Sequence, residues 1–566
     1  MSLRQSLPSL QHFQLWLAEF PFDRQQLAIA TTASLFTYVA YKAIDILVIK
    51  PYVSALRDLP GPEKLDSYIF GHMPRIFKAP AGVIHEEWAA KYGPTLQYRG
   101  IGLSRRFFTL DPKAIAHVMN HSYDYPKPES IREGLVQLLG RGVLVAEGDE
   151  HRRQRKIMNP CFGIAQIREL MPIFYAKSFE LRDMWMSKIS EHSGTAEIDA
   201  LQGLSRATLD IIGLAGFSYD FNAIAEGETN ELAKAFNELL TPTTSIQILP
   251  ILQNRIPILK LIPTERGRIE KRSREVMDRV GRQLVQQKKA ALLHEKGDQS
   301  KHATGRDILS VLVRANTALN IKDSEKMTDE EMMGQITIML LAGHETTSSS
   351  TVWLLYDLAK PVNKPIQDRL RAEFSALSSA EPSMEELNAL PYLDAVIREN
   401  LRLNAVVSGM IREADRDDVI PLSMPIVDRK GVERREVRIG KGDSVFLSIV
   451  AMNRDKTIWG EDADEFNPER WFKPETHPRS ADIPGVYSGI MTFIGGPRHC
   501  IGYRFAVLEM KVLVYALIRN MSFSLPDPPL IIEKKSSVVT RPLVTLPDGT
   551  KKSYMPLIVK AVGGGD

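Results

Sequence analysis

The sequence predicts an α+β fold, mostly helical, built as one large domain around a long central helix with small β-sheets at its margins. Three observations carry this. A run without helix breakers extends from Thr328 to Pro361. Short alternating, strand-like stretches cluster at residues 95–109 and again after residue 409, whereas the middle of the chain reads as helix. The composition is ordinary for a globular protein, 566 residues with 44% hydrophobic and 25% charged side chains, so a sizeable core can be buried.

Charge and cysteine content narrow the function classes. A net charge of +3 gives no electrostatic case for nucleic acid, and none is expected as a partner. The two cysteines, Cys161 and Cys500, do not make a disulfide framework, which fits a reducing compartment. Cys161 reads as a small buried hydrophobe.

In chain order, residues 1–26 form an N-terminal extension and residues 27–49 a mostly apolar run. That run reaches the length of about 20 residues needed to span a bilayer. Lys42 and Asp45 interrupt it, three apart and able to pair on one helix face. A retained membrane anchor is expected, with an interfacial helix or one packed on the domain as alternatives. Residues 50–62 carry Leu59-Pro60-Gly61-Pro62, which stops any helix and stiffens a hinge, and the catalytic domain then occupies 63–566. A helix is expected at 80–91, strands at Thr95–Tyr98 and Arg106–Thr109, and a helix capped by Asp111 with Pro112 in its first turn. His121 to Val145 reads as a long loop with a short helix inside it. The helix opening at Gly148 places His151 and Arg155 on one face and Arg152 and Lys156 on the next.

The central helix announces its start with a capping box, Thr328 at the cap and Glu331 three residues on. Running to Pro361, it measures roughly 48 Å at about 1.5 Å per residue. It is apolar from Ile336 to Ala342, and then Gly343, His344, Glu345, Thr346 and Thr347 interrupt it. The Thr346 hydroxyl can bond back to the Ala342 carbonyl, and a local widening or kink is expected. Downstream lie Glu399-Asn400-Leu401-Arg402 and Phe466-Asn467-Pro468-Glu469-Arg470-Trp471. Last comes Phe493-Ile494-Gly495-Gly496-Pro497-Arg498-His499-Cys500-Ile501-Gly502, followed by an apolar helix from Tyr503 to Ile518. This places Cys500 near a helix N-terminus, which favours a thiolate; a nucleophile, a redox thiol or a metal ligand all fit.

This last segment resembles the haem-binding loop of the cytochrome P450 family, Phe-x-x-Gly-x-Arg-x-Cys-x-Gly, with Phe493, Gly496, Arg498, Cys500 and Gly502 at the fixed positions. Ala342–Thr347 resembles its oxygen-activating motif, and the Glu-x-x-Arg and Phe-x-Pro-Glu-Arg motifs follow in the family's order. The resemblance implies haem b, with Cys500 as axial iron ligand. It implies propionate contacts from His151 (where the family has tryptophan), Arg155, Arg412 and Arg498. It also implies that Gly343 admits haem and oxygen, Thr346 donates a hydrogen bond to oxygen, and Glu345 passes protons inward. Glu399, Arg402 and Arg470 become a buried charge triad. Residues 404–410 depart from the family's two prolines in a region that lines the substrate pocket, and residues 538–542 resemble the β turn that dips into it.

The function implied is monooxygenation: one atom of O2 enters a hydrophobic small molecule by hydroxylation or epoxidation. Electrons come from NADPH through a separate NADPH-cytochrome reductase, with cytochrome b5 as a further partner, because no flavin, iron–sulfur or Gly-rich dinucleotide segment stands out. By analogy with fungal, microsomal members, the expectation is secondary metabolism or terpenoid, steroid or polycyclic aromatic substrates. The expected location is the endoplasmic reticulum membrane, single-pass, with the catalytic domain cytosolic. A haem-thiolate isomerase or dehydratase needing no reductase, or a non-catalytic haem-binding protein, are the alternatives.

Overall fold

A computed structural model describes residues 24–44, 50–241, 262–295, 307–317, 326–546 and 548–562, with the single positions 249 and 253. Its axis is the helix Asp329–Ala359, 31 residues long and closed at its start by the expected capping box. The Thr328 hydroxyl accepts from the Glu331 N–H at 3.1 Å, and the Glu331 carboxylate accepts from the Thr328 N–H at 2.7 Å. The helix is α-helical throughout, so the expected local widening is not seen. The expected bond from Thr346 to the Ala342 carbonyl is present, as is one from Thr351 to the Thr347 carbonyl, each at 2.8 Å.

Two helices clasp this axis. Ala200–Phe217 packs along it so closely that the Thr208 hydroxyl reaches the His344 carbonyl at 3.0 Å. Tyr503–Ile518, predicted to the residue, is buried almost throughout. Four small sheets sit at the margins. In the largest, Thr95–Arg99 pairs antiparallel with Arg105–Thr109, which pairs parallel with Ser444–Ser448, which in turn pairs antiparallel with Gly409–Glu413. In a second sheet a strand near the C-terminus, Thr540–Thr545, lies between Ile532–Ser536 and Lys551–Lys552. The helix at 80–91 is observed at Val83–Tyr92, and the loop after His121 contains a helix at Glu129–Leu139.

Two expectations change. The hinge is seated on the domain rather than standing off it. Leu56 and Leu59 belong to the core, and the Gln97 N–H donates to the Pro60 carbonyl at 2.9 Å. Gly61 lies at φ +148, and a Cβ there would meet the Gln97 carbonyl oxygen at 2.0 Å, so glycine is obligatory. A helix is described over Arg24–Ile44, covering most of the expected run 27–49; residues 1–23 and 45–49 lie outside the described residues. Among the described residues no helix is long and apolar enough to cross a membrane, so a transmembrane span is not supported. Arg24, Gln25, Gln26, Lys42 and the threonines within the helix dilute its apolar face.

Candidate active site

The cysteine loop is a tight fold held by its own backbone. The Cys500 N–H donates to the Phe493 carbonyl at 2.9 Å, closing the loop on itself. Gly496 lies at φ +65, and a Cβ there would sit 2.7 Å from the Met119 carbonyl oxygen, so glycine brings the loop against the helix Pro112–Asn120. The Phe493 ring is buried between Tyr487 and Tyr503, with centroids 5.8 and 5.9 Å away. Cys500 keeps accessible surface at this otherwise enclosed place. Burial pushes its thiol up from the ordinary value, against the opposing pull of the Gly502 N–H and the Arg155 charge. A metal cation bound to the sulfur would favour the thiolate against this burial.

Beside the loop, cations converge with too little anion to balance them. Arg498 donates to the Ala146 carbonyl at 2.6 Å and forms an ion pair with Glu147. Lys127 reaches the same carboxylate at 3.2 Å, and burial together with the Arg412 charge pushes it down to about 8. Arg412 is buried, its guanidinium has one hydrogen bond among the described residues, to the neighbouring Ile411 carbonyl at 3.3 Å, and burial pushes it down to about 10. Arg155 donates to the His499 carbonyl at 2.7 Å and meets the His499 ring at 2.9 Å. His151 is 3% exposed, and its Nδ1 has no hydrogen-bond partner among the described residues. Burial and the charges of Arg498, Arg155, Lys127 and Arg412 push it down to about 3.

The four predicted propionate contacts thus share one electrostatic neighbourhood, as the mutual influence of their charges shows. Lys127 and Glu147 were not singled out in the sequence; the signal available was Pro126-Lys127-Pro128 inside an over-long loop. Four buried or half-buried cations around one carboxylate, with an orphaned imidazole nitrogen among them, fit a dianionic group such as the two propionates of haem b. Replacing Lys127 with glutamine is expected to weaken haem retention severalfold, read as faster haem transfer to a scavenging apoprotein. Unchanged transfer would remove Lys127 from the set.

On the central helix, accessible surface returns in mid-course at Ala342, Gly343 and Thr346, one helical face within a buried run. A Cβ on Gly343 would lie 2.7 Å from Ile212 Cγ1, so contact with the neighbouring helix also favours glycine here. The role implied for Glu345 acquires a condition. Glu345 is 1% exposed and is held by Arg541, Nε to Oε1 at 2.5 Å and Nη2 to Oε2 at 2.6 Å. Ser349 adds a bond at 3.0 Å, and His344 Nε2 stands 3.7 Å away. Burial alone raises this carboxyl, but the Arg541 charge and hydrogen bonds outweigh it, and the net direction is down. Glu345 is therefore an ionised anchor between the central helix and the strand Thr540–Thr545, and must leave Arg541 before it can carry a proton.

That pair makes a stability prediction. Arg541→Leu strands a buried carboxylate and is expected to cost about 3–5 kcal/mol, whereas adding Glu345→Gln recovers most of it. Because the folded carboxyl titrates below its ordinary 4.5, the wild-type advantage is fully present above pH 4.5 and is lost as pH falls through the lower folded value. Urea unfolding of the three proteins across pH checks both points; equal stability of wild type and Arg541→Leu at neutral pH would contradict them.

The triad is assembled as expected. Arg402 grips Glu399 at 2.8 and 3.0 Å, and Arg470 Nε reaches the same carboxylate at 3.1 Å. The sequence did not disclose that the Asn467 N–H and the Trp471 indole also donate to Glu399, at 2.9 and 3.1 Å. A further carboxyl, Glu509, lies on the helix after Cys500, fully buried and with no hydrogen-bond partner for either oxygen among the described residues. Burial raises it well above the ordinary carboxylate range, against a smaller lowering by Thr347.

A mostly helical domain that presents a cysteine on a glycine-rich loop beside a pocket of cations defines a haem-thiolate protein. The chain belongs to the cytochrome P450 family, whose model matches residues 60–546. It is 44% identical to cytochrome P450 monooxygenase 205 of Postia placenta over 537 residues, 94% of this chain and 97% of the relative. It is 34% identical to the ganoderic acid synthetase of Ganoderma lucidum over 556 residues, 94% of this chain and 98% of that enzyme. It is thus an oxidoreductase of the monooxygenase type, and haem b is its family's cofactor.

Proposed function

We propose that the protein uses O2, two electrons and two protons to place one oxygen atom in a C–H or C=C bond of a hydrophobic substrate, releasing the other as water. The observation that carries this reading is the pairing of an accessible cysteine loop with a surplus of buried cations. Haem b, when bound, supplies oxygen binding and activation. Cys500 holds its iron, while His151, Arg155, Arg412, Arg498 and Lys127 hold its carboxylates. Thr346 presents a hydroxyl on the open face of the central helix, and Glu345 delivers a proton once released from Arg541. Phe493 and Gly496 fix the loop, and the triad of Glu399, Arg402 and Arg470 fixes the framework behind it.

Electrons come from NADPH through a separate reductase, with cytochrome b5 as a second donor. Arg152 and Lys156, exposed on the helix that carries His151 and Arg155, form the docking face for an acidic partner. Exposed Ile29, Phe36, Tyr38 and Tyr41 support membrane association of the N-terminal helix in the plane of the interface, at the endoplasmic reticulum with the catalytic domain cytosolic. Residues 1–26 then precede the anchor and 50–62 join it to the domain. Similarity to a ganoderic acid synthetase supports a terpenoid substrate in fungal secondary metabolism.

The test is expression with a fungal reductase and a screen of apolar terpenoids and steroids for binding difference spectra and oxygenated products. NADPH-dependent product is expected. Rearrangement or dehydration of an organic peroxide substrate without NADPH or reductase, with no NADPH-dependent oxygenation, would instead establish the isomerase or dehydratase reading.

A further inference from the structure

The face of Arg541 turned away from Glu345 closes a surface cleft of about 340 Å³ between the helices Ala200–Phe217 and Glu231–Leu240 and the C-terminal strands. The cleft is lined by Arg206, Lys234, Arg541 and Lys552, with Glu228 as its one carboxylate. Arg541 is already neutralised by Glu345, so three cations face one anion. Lys234 and Lys552 are exposed and make no ion pair among the described residues. Arg206 is half-buried, lowered by burial against the opposing charges of Glu228 and Asp199. Asp199 does not fill the deficit: its Oδ1 accepts from the Leu201, Gln202 and Met555 N–H groups, and burial raises its carboxyl.

The floor has unused donors. A guanidinium carries five N–H groups. Arg541 spends two on Glu345 and one on Asn237 Oδ1 at 2.9 Å, and Asn237 itself is exposed at the cleft. The remaining two N–H groups, both on the Nη atoms, have no partner among the described residues.

We propose that this cleft binds a small oxyanion of the size and charge of inorganic phosphate, and that the anion competes with Glu345 for Arg541. The site is then a second occupant of the same guanidinium. Whatever it gains from Arg541 is lost from the Glu345 pair, and by linkage the effect is reciprocal. Occupancy loosens the carboxylate that must move a proton, so the local oxyanion concentration sets how readily Glu345 is released. The binding claim stands on the cleft alone; its consequence for turnover rests on the proton role proposed for Glu345.

The experiment uses the haem-loaded full chain and isothermal calorimetry with inorganic phosphate at fixed ionic strength, with no turnover measurement. Saturable one-site binding is expected, weakened at least about tenfold in Lys234→Gln/Lys552→Gln. Both lysines are exposed, so this variant should keep the wild-type melting temperature in phosphate-free buffer. In Glu345→Gln, where Arg541 is freed, phosphate should bind about tenfold tighter. Absent saturable binding, binding indifferent to the two lysines, or equal displacement by chloride would each overturn the site. Unchanged affinity in Glu345→Gln would overturn the competition for Arg541. Failure of NADPH-dependent turnover would alter none of these readings, so the two accounts fail separately.

Discussion

Cys500→Ala is expected to reduce NADPH-dependent product to the background of the reductase alone. No other side chain can take over. Cys161, the second cysteine, is buried and its thiol is pushed up to about 12 by burial, so it offers no thiolate. His499 is adjacent in sequence, but its Nδ1 lies 3.0 Å from the Gly496 carbonyl and its Nε2 lies 2.9 Å from Arg155. Turning it toward the iron would break both contacts and release a cation from the propionate set. Haem content should fall less than activity, because His151, Arg412, Arg498 and Lys127 are untouched. Product formation with bound haem in Cys500→Ala would refute the assignment of the ligand.

Arg402→Leu is expected to yield no stable haem protein. Arg402 is fully buried and donates to the Asn453, Ala463 and Glu465 carbonyls at 2.8, 2.7 and 3.1 Å as well as to Glu399. Leucine removes the donor to these three carbonyls and two of the five hydrogen bonds that Glu399 accepts. Breaking such a pair costs about 3–5 kcal/mol, a large part of the 5–15 kcal/mol that holds a typical domain together. Glu399→Gln should be milder, since an amide oxygen in the place of Oε1 can still accept from the Asn467 N–H and from Arg470, and only the contacts at the other oxygen, the Trp471 indole among them, are lost. Chemical denaturation monitored by haem absorbance measures both. An Arg402→Leu protein as stable as wild type would show that the network does not mount the site.

Legibility in the sequence follows range of interaction. The capping box at Thr328, the Asp111 cap and the turn of Gly496 are local, with partners a few residues away or a backbone angle only glycine accepts, and they were readable. The Cys500 loop and the triad were readable because their motifs fix residue types in order. Arg541 was placed in a turn near the pocket, but its partner lies 196 residues away, and nothing local in either segment marks the pair. Lys127 and Glu147 were missed for the same reason, and their charges acquire meaning only beside Arg498 and Arg412. The motif marked Gly343 for the ligand, but its contact with Ile212, on another helix, had no local sign. The bond from Thr346 to the Ala342 carbonyl is local and was readable, and the turn around it stays α-helical. The hinge prolines do stiffen the chain, but the flanking Leu56 and Leu59 pull that stretch into the core.

The central claim is that Cys500 binds haem iron as a thiolate at the edge of a cation-lined pocket. Its most direct test is the absorption spectrum of the reduced protein under carbon monoxide. The account predicts the strongly red-shifted Soret band of a thiolate-ligated ferrous–CO haem, absent in Cys500→Ala. A Soret band at the position given by histidine or a neutral thiol, in freshly purified wild-type protein, would contradict it.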